Sequence, residues 1–325
     1  MKMHLLRILL LVVVLGSVVQ EGDAQQRYFD ERYIYSQSFI HPVLVNPGAT
    51  GIQDYQQLIF NYRNTWATFE GAPKTITLNF NGPIGNRLGF GAQLFRDSYG
   101  ALETSKGMLA ISYTIDSEKN KLGFGLSTEY IQHIVSGSAL NNEIIDVDDE
   151  TFLQRLDGNQ FFDASFGVYG IYDESFKYGV SFPSLISSKI NIEDGEPGER
   201  DLGYIAHFAY GSRVNNGDIG IEPSIFIKSL NNIPTHVDLN LKATFLDDQF
   251  TGALGYTLGA DKRIGFLLGA AVDNLNFYYS YNISTRAFQD YNNGAHELSV
   301  SFSFNKDRSP ATSTENAPDP LNGSN

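Results

Sequence analysis

Apolar and polar residues alternate one by one along most of the chain. Within residues 236–245, apolar side chains occupy every second position from Val237 to Phe245, and Asp, Asn, Lys and Thr fill the positions between them. Successive side chains of a β-strand point to opposite faces, whereas neighbours on a helix face lie three and four residues apart. The pattern therefore predicts a strand with one apolar and one polar face.

The same alternation recurs from residue 55 to residue 305 and predicts an all-β protein of about 14 strands. The predicted strands lie near residues 55–64, 74–82, 88–96, 104–115, 121–132, 160–172, 175–182, 201–212, 217–229, 236–246, 249–258, 263–272, 274–284 and 295–305. Most are close to the roughly 9–11 residues that a tilted strand needs to cross a bilayer.

The connections between these strands alternate in length. One set is short and rich in Asn, Asp and Gly, as tight turns require: 83–87, 116–120, 173–174, 214–216, 247–248 and 273. The other set is longer on the whole: 65–73, 97–103, 133–159, 183–200, 230–235 and 285–294. Short turns at one end and longer loops at the other are typical of bacterial outer-membrane proteins. We therefore predict a transmembrane antiparallel up-and-down β-barrel; a soluble β-protein is the alternative.

The regions outside the alternating pattern divide the chain into four parts. Residues 1–24 combine a basic start, a short apolar run and a small residue at Ala24, which predicts a secretory signal peptide. Residues 25–54 form an N-terminal periplasmic or plug-like segment ahead of the barrel at 55–305. Residues 306–325 are rich in Ser, Thr, Asn and Pro and predict a disordered polar tail.

Composition excludes several functions. The chain has no cysteine, so no disulfide and no lipid anchor on a cysteine is expected. Its net charge of −14 argues against a nucleic-acid partner, because phosphate binding needs clustered Lys and Arg. We expect outer-membrane lipids as its surroundings and the bacterial outer membrane as its location.

The sequence offers little catalytic chemistry. The histidines are scattered without metal-ligand spacing, and no Gly-x-Ser-x-Gly motif is present. The acidic cluster at 146–150 lacks the ligand order and glycine of a calcium loop, which favours a solvated loop. We expect no enzyme activity, no cofactor and no metal; a hydrolase with Ser and His brought together across strands is the alternative.

Glycines flank Phe90 and Phe124 inside predicted strands. No helix is predicted after either of these glycine pairs, which argues against a nucleotide-binding loop. They are interpreted as interior positions of the barrel where side-chain bulk is excluded.

Arg63 shares the predicted interior face of the first strand with Asn61 and Gln57. Its charge would then lie in the lumen, where we expect an ion pair with an inward carboxylate; contact with a partner protein is the alternative. The candidate carboxylates are Glu129, Asp163 and Glu297.

Two further positions have both a structural and a functional interpretation. Trp66 is the one tryptophan of the chain and could anchor the barrel at the membrane interface or form a contact in an outer loop. Residues 46–51 contain Pro47, Gly48 and Gly51 and predict a sharp turn. That turn would either fix the N-terminal segment against the barrel or dock a periplasmic partner.

Several motifs resemble the PorP/SprF family of type IX secretion and gliding-motility membrane proteins. They are Gln37-Ser38-Phe39 followed by Val45-Asn46-Pro47-Gly48-Ala49-Thr50-Gly51, then Tyr62-Arg63-Asn64-Thr65-Trp66, Phe69-Glu70-Gly71-Ala72-Pro73-Lys74-Thr75 and His296-Glu297-Leu298-Ser299-Val300-Ser301-Phe302. Gly48 and Thr65 depart from the family pattern, which usually has Ala directly after Pro47 and often Gln at 65. Candidate structural or partner-contact residues in these motifs are Asn46, Pro47, Gly51, Arg63, Trp66, Gly71, Pro73 and Lys74.

The resemblance implies an outer-membrane component or adaptor of the type IX secretion system that supports secretion or surface attachment of cargo such as gliding adhesins. It implies other type IX components as partners, with a periplasmic peptidoglycan-binding protein among the candidates, besides the secreted cargo or adhesin. The alternative is an outer-membrane pore for small solutes. Inward positions such as Lys228 and Lys242 would suit a pore, whereas Phe95 and Tyr169 are bulky enough to help fill a lumen.

Overall fold

The computed structural model describes residues 34–66, 68, 71–135, 159–186, 188–189, 202–214, 218–230, 233–259, 262–285 and 293–305. The predicted signal peptide, the acidic cluster at 146–150 and the predicted tail lie outside these residues.

The described residues form sixteen strand segments. They are β1 (Gln56–Thr65), β2 (Lys74–Ile84), β3 (Leu88–Tyr99), β4 (Leu102–Asp116), β5 (Asn120–Val135), β6 (Asn159–Tyr172), β7 (Phe176–Phe182), β8 (Ser188–Lys189), β9 (Tyr204–Tyr210), β10 (Ser212–Val214), β11 (Ile219–Leu230), β12 (Ile233–Phe245), β13 (Phe250–Leu258), β14 (Arg263–Val272), β15 (Leu275–Ser284) and β16 (Ala295–Phe304). Two single-turn 3-10 helices, Pro42–Leu44 and Pro47–Ala49, precede β1.

The strands pair antiparallel and close into a barrel. β1 pairs with β16 along its whole length, from Gln56 opposite Phe304 to Thr65 opposite Ala295. β10 continues β9 along the same partner, β11, after a break at Gly211. The two-residue β8 pairs with β6 off the main path. Fourteen barrel strands result, which confirms the predicted all-β fold and strand number.

The distribution of polarity is the reverse of that in a soluble protein. On β2, Ile76 and Leu78 are exposed, whereas Thr77 and Asn79 are completely buried. The apolar outer face and the polar interior repeat around the barrel, and the pairing of β1 with β16 closes the wall. This arrangement suits an outer surface in lipid and excludes the soluble alternative.

Among the residues that the structure describes, no helix is long and apolar enough to cross a membrane.

The barrel has two different ends. We call one the short-turn end; its turns are 85–87, 117–119, 173–175, 246–249 and 273–274. Acidic residues take the left-handed conformation in several of these turns, with φ of 50° at Asp173 and 54° at Asp247. Asp tolerates this conformation better than most residues, so these tight hairpins match the composition of the predicted short turns. We call the opposite end the loop end.

Two connections at the loop end are shorter than predicted. β3 and β4 are separated by two residues, 100–101, and β11 and β12 by two residues, 231–232. The predicted loops at 97–103 and 230–235 are therefore wrong. The strands continue past the apolar band with polar outward side chains, as at Arg96 and Glu103, whose side chains pair at 2.6 Å. Alternation of polarity ends there before the backbone pairing does.

Two further bounds differ from the prediction. The strand predicted at 201–212 is interrupted at Gly211 and resumes to Val214. The predicted loop at 183–200 contains β8, which continues the wall beside β6 where β7 ends early.

Candidate functional site: the occupied lumen

The barrel lumen contains part of its own chain. Residues 34–55, which we call the plug segment, run into β1 and contact interior side chains of many strands. Pro42 and Pro47 each begin a 3-10 turn, where a proline at the first position costs no hydrogen bond. Asn46 caps the second turn by accepting a hydrogen bond from the Gly48 amide at 2.8 Å.

The same Asn46 side chain also ties the turn to the wall. Its amide nitrogen donates to the Val168 carbonyl of β6 at 3.0 Å. Ser181 of β7 donates to the Val45 carbonyl at 2.8 Å, and Ser112 of β4 donates to the Thr50 carbonyl. The predicted turn therefore lies against three strands.

Glycines on both sides allow this close approach. A Cβ atom at Gly48 would lie 2.8 Å from the Gly167 carbonyl oxygen of β6, closer than real Cβ atoms come. Gly51 has φ of +65°, and a Cβ there would lie 2.6 Å from the Cα atom of Gly89 on β3. Interior glycines such as Gly89 thus mark where plug backbone and wall backbone meet.

Glu297 of β16 holds the beginning of the plug segment. Its carboxylate accepts hydrogen bonds from the backbone amides of Ser36 at 2.8 Å and Gln37 at 3.4 Å, and from the Asn61 side chain at 2.9 Å. The Gln37 side chain donates to the Glu297 carbonyl at 3.0 Å and also contacts Ser299. Because three donors converge on this one side chain, Glu297 is a principal anchor of the plug segment.

Apolar side chains of the plug segment form two small cores with the wall. Tyr35, Leu44 and Val45 pack with Phe95, Ile205 and Phe226. Val43, Ala49 and Ile52 pack with Ile59 and Tyr169. The bulky inward residues that the sequence suggested could fill a lumen therefore surround the plug segment.

Arg63 lies in the interior, as its position in the alternation predicted, and its side chain is 2% exposed. Its guanidinium donates to the Ile34 carbonyl of the plug segment. In the register of β1 and β16, Arg63 stands directly opposite Glu297. The other two candidate carboxylates, Glu129 and Asp163, stand opposite each other on β5 and β6, and Glu129 pairs with Lys106 at 3.5 Å.

The remaining candidate residues lie at the loop end, around the connection between β1 and β2. The Trp66 amide donates to the Gly294 carbonyl at 2.9 Å, and its ring meets Tyr99 edge-on at 6.0 Å. The Gly71 carbonyl accepts from Gly100 at 2.7 Å. The other two are Pro73, whose carbonyl accepts from Thr65 at 2.9 Å, and Lys74, which is exposed at the start of β2.

The eight candidate residues are thus not brought together in one site. Asn46, Pro47 and Gly51 dock the plug segment, Arg63 contacts its first described residue, and the other four surround one outer hairpin. The sequence placed Gln37 in a family motif and Glu297 among the candidate partners of Arg63, but it did not predict that Glu297 binds the backbone at Ser36 and Gln37. The run of polar residues at interior positions of β16 was the pattern that could have indicated a hydrogen-bonded segment beside this strand.

Ion pairs also line the part of the lumen near β11 and β12. Lys228 pairs with Asp238 at 3.1 Å, and Glu222 accepts from Lys242 at 2.8 Å and Lys177 at 2.7 Å. Each charge has a partner of opposite sign, as low-dielectric surroundings require. Among the described residues, no group of three or more His, Asp or Glu side chains could hold a metal ion.

Burial changes the titration of two plug residues. Desolvation lowers the pKa of His41 to about 4, so the imidazole is neutral at physiological pH. Desolvation likewise raises the pKa of the Tyr35 hydroxyl well above its usual value, and that hydroxyl forms a 2.9 Å hydrogen bond with Thr77.

A closed barrel with an apolar outer face, a polar wall and a hydrogen-bonded internal segment defines a β-barrel membrane protein. The family model of the type IX secretion system membrane protein PorP/SprF matches residues 29–302. The chain belongs to the PorP/SprF family and is a protein of the bacterial outer membrane.

Solved structures of outer-membrane barrels show a distant likeness. The chain is similar to Omp33 of Acinetobacter baumannii (6% identity, TM-score 0.46, covering 78% of this chain and 100% of that one). It is also similar to a Pseudomonas aeruginosa FadL homologue (14% identity, TM-score 0.45, 80% and 93%) and to the KdgM porin (11% identity, TM-score 0.36, 76% and 99%). No curated protein sequence matches the chain significantly.

Proposed function

We propose that this chain is a non-enzymatic component or adaptor of the type IX secretion system, which supports the secretion or surface attachment of cargo proteins such as gliding adhesins. Membership of the PorP/SprF family supports the link to type IX secretion. The partners are other components of that system, including a periplasmic peptidoglycan-binding protein, and the cargo itself.

The occupied lumen supports an adaptor over a pore for small solutes. Residues 34–55 cross much of the interior and are fixed by Glu297 near β1 and by Asn46 near β6. Tyr35 and Leu44 pack on Phe95 and Phe226, which face them from β3 and β11. A segment packed in this way reduces the open cross-section that a solute would need.

Planar-bilayer recording of the purified full chain tests this choice. The adaptor proposal expects no large, stable single-channel current from the intact protein. Reproducible large currents would favour the pore. A solute pore of known conductance, reconstituted in the same way, serves as the positive control.

Cross-linking in outer membranes tests the partners. Affinity purification of the tagged chain is expected to recover type IX components and at least one surface protein. A deletion strain should lose display of that protein and regain it with the wild-type chain. Recovery of lipids and unrelated porins alone would contradict the proposal.

A matched pair of variants addresses the loop end. Trp66 is partly exposed beside Tyr99, so Trp66→Ala removes a large contact surface there. Phe250→Ala removes an exposed aromatic ring at the short-turn end. If cargo docks at the loop end, Trp66→Ala reduces display of the cargo at normal barrel abundance and Phe250→Ala does not.

A further inference from the structure

A cavity of about 190 Å³ lies between the plug segment and the wall near the short-turn end. Its wall side is formed by strands β1, β2, β15 and β16 together with Tyr169 of β6, and its plug side includes His41 and Tyr55. Gln53, at its edge, is exposed to solvent, so the cavity is accessible from the short-turn end. Nothing in the proposed adaptor role uses this cavity.

Most of the lining is polar and uncharged, and the plug segment adds the apolar residues Ile40, Pro42, Val43, Ala49 and Ile52. Amide and hydroxyl side chains converge on it from β1, β2, β6, β15 and β16, and none of the described residues that line it is Asp, Glu, Lys or Arg. The amides are Gln53, Gln57, Asn81 and Asn276, and the hydroxyls include Ser301, Ser303 and Tyr278. Amides and hydroxyls each offer both donors and acceptors, so together they match a neutral solute that carries many hydroxyl groups.

His41 adds an independent sign of a ligand. Its ring is 4% exposed, lines the cavity and packs edge-on against Tyr278 with ring centroids 5.7 Å apart. Its Nε2 atom is buried and has no hydrogen-bond partner among the residues that the structure describes. Buried polar groups are nearly always hydrogen-bonded, so a partner for this nitrogen is expected within the cavity.

The aromatic rings and the size of the cavity narrow the class of solute. Tyr55, Tyr169 and Tyr278 also line it and provide flat apolar surfaces beside the polar groups. Sites for drug-sized ligands measure roughly 300–1,000 Å³, so this cavity accommodates a single ring. A pyranose combines a C–H face for stacking with hydroxyl groups for amides.

We propose that this cavity binds one neutral sugar ring, presented by a glycan on the side of the membrane that the short turns face. The lack of charged lining groups disfavours phosphorylated or acidic sugars, because an unpaired charge in such a site would be costly. The ring would stack between the plug segment and β15 while the amides of β1 and β2 bond to its hydroxyls.

Saturation-transfer-difference NMR on the full chain tests this proposal. The protein is held in dodecyldimethylamine oxide micelles, because maltoside and glucoside detergents would themselves supply sugar rings. The probes are N,N′-diacetylchitobiose, maltose and glycerol at equal concentration. Transfer to either disaccharide above that to glycerol supports the proposal, and the stronger of the two identifies an N-acetylated or a plain glycan as the source.

Variants locate the binding. His41→Phe and Gln57→Leu each remove a polar group of the cavity and are expected to weaken the signal about fivefold, as loss of one hydrogen bond implies. Asn240→Leu is the matched control, since Asn240 faces the lumen from β12 but does not line the cavity. Heat-modifiable migration on gels confirms that each variant is folded.

Two outcomes would overturn the proposal. One is transfer to the disaccharides no greater than to glycerol, which would mean that the cavity holds only water and small polyols. The other is a sugar signal that folded His41→Phe and Gln57→Leu retain in full, which would place the binding elsewhere on the barrel.

Discussion

At the scale of single residues, glycines and one carboxylate determine how the lumen is filled. The interior glycines were predictable as positions without bulk, because they fall on the inward face of alternating strands. What occupies the space beside them was not predictable, since residues 34–55 carry no alternation that would place them. The turn at 46–51 was predicted locally, but its contact with β6 depends on residues more than a hundred positions away.

Gly48→Ala is expected to undock the plug segment while leaving the barrel folded. The added Cβ atom meets backbone atoms of β6, which cannot move away as a side-chain end could. Overpacking of this kind costs about 1–3 kcal/mol. Hydrogen exchange of residues 34–55, measured by mass spectrometry, should accelerate accordingly.

The matched control is Gly107→Ala. Gly107 faces outward on β4, where a Cβ atom would have nothing within 4 Å. Exchange in the plug segment should be unchanged in this variant. Equal protection in both variants would show that Gly48 is not in tight contact with the wall.

His41 makes plug docking dependent on pH. Its pKa is about 4 when docked and 6.5 as an ordinary histidine. Well above pH 6.5 His41 is neutral in both states, and pH has no effect on docking through this residue. As pH falls from 6.5 to about 4, the undocked state takes up a proton that the docked state excludes, so docking weakens by up to about 3 kcal/mol.

Hydrogen exchange of the plug segment at pH 7 and pH 5 checks this prediction. Relative to His41→Phe at the same pH, the docking equilibrium constant of the wild type should fall about twentyfold between pH 7 and pH 5. The Phe variant controls for other acid-sensitive groups, because it keeps an aromatic ring at this position but cannot be protonated. If the ratio of the wild-type docking equilibrium constant to that of His41→Phe is the same at pH 7 and pH 5, His41 is not buried in a neutral form.

At the scale of secondary structure, the sequence predicted strands better than their ends. Alternation identified the fourteen barrel strands because lipid outside and polar groups inside act on every residue of the apolar band. It failed at 97–103, where β3 and β4 still pair although the outward side chains of Arg96 and Glu103 are polar. It also failed at 230–235, where Leu230 of β11 still pairs with Ile233 of β12. Backbone hydrogen bonding extends the strands there, and the alternation of side-chain polarity does not indicate this extension.

A pair of arginine substitutions on β12 tests which face meets lipid. Leu239 is the seventh of thirteen residues in this strand and pairs with Ile225 and Tyr256 on the outer face. Leu239→Arg near the middle of the membrane should cost about 2–4 kcal/mol. Asn240→Arg places the same charge in the polar lumen and should cost less.

Urea titration of folding into lipid vesicles measures both free energies. The neighbouring positions share strand, depth and substitution, so their difference isolates the facing of the side chain. Equal costs would mean that the assignment of faces on β12 is wrong.

At the scale of the whole molecule, the interior surface of the barrel wall is polar enough to be stable without the plug segment. The wall under the plug segment is polar: Asn61, Asn79 and Ser301 are fully buried against it, on β1, β2 and β16. A surface that is always covered can be apolar, whereas the polar side chains of this wall can also be hydrated when they are uncovered. Besides the two apolar cores, the plug segment is held by its covalent link to Gln56, by hydrogen bonds to Glu297 and by the hydrogen bond from Asn46 to Val168.

Removing the plug segment should therefore leave a folded barrel with an open lumen. A chain lacking residues 34–54 keeps every strand pairing, including that of β1 with β16, and exposes a wall of Asn, Ser and Thr side chains to water. It loses the packing on Phe95 and Tyr169, so its stability should fall. Planar-bilayer recording should then show ion conductance that the intact chain lacks, with heat-modifiable migration confirming the fold.

A second variant, Glu297→Gln, keeps the plug segment and weakens its anchor, and we expect brief openings from it rather than a steady current. If the deleted chain folds and remains silent, the interior is closed by the wall itself, and the plug segment serves to stabilise the barrel rather than to seal it.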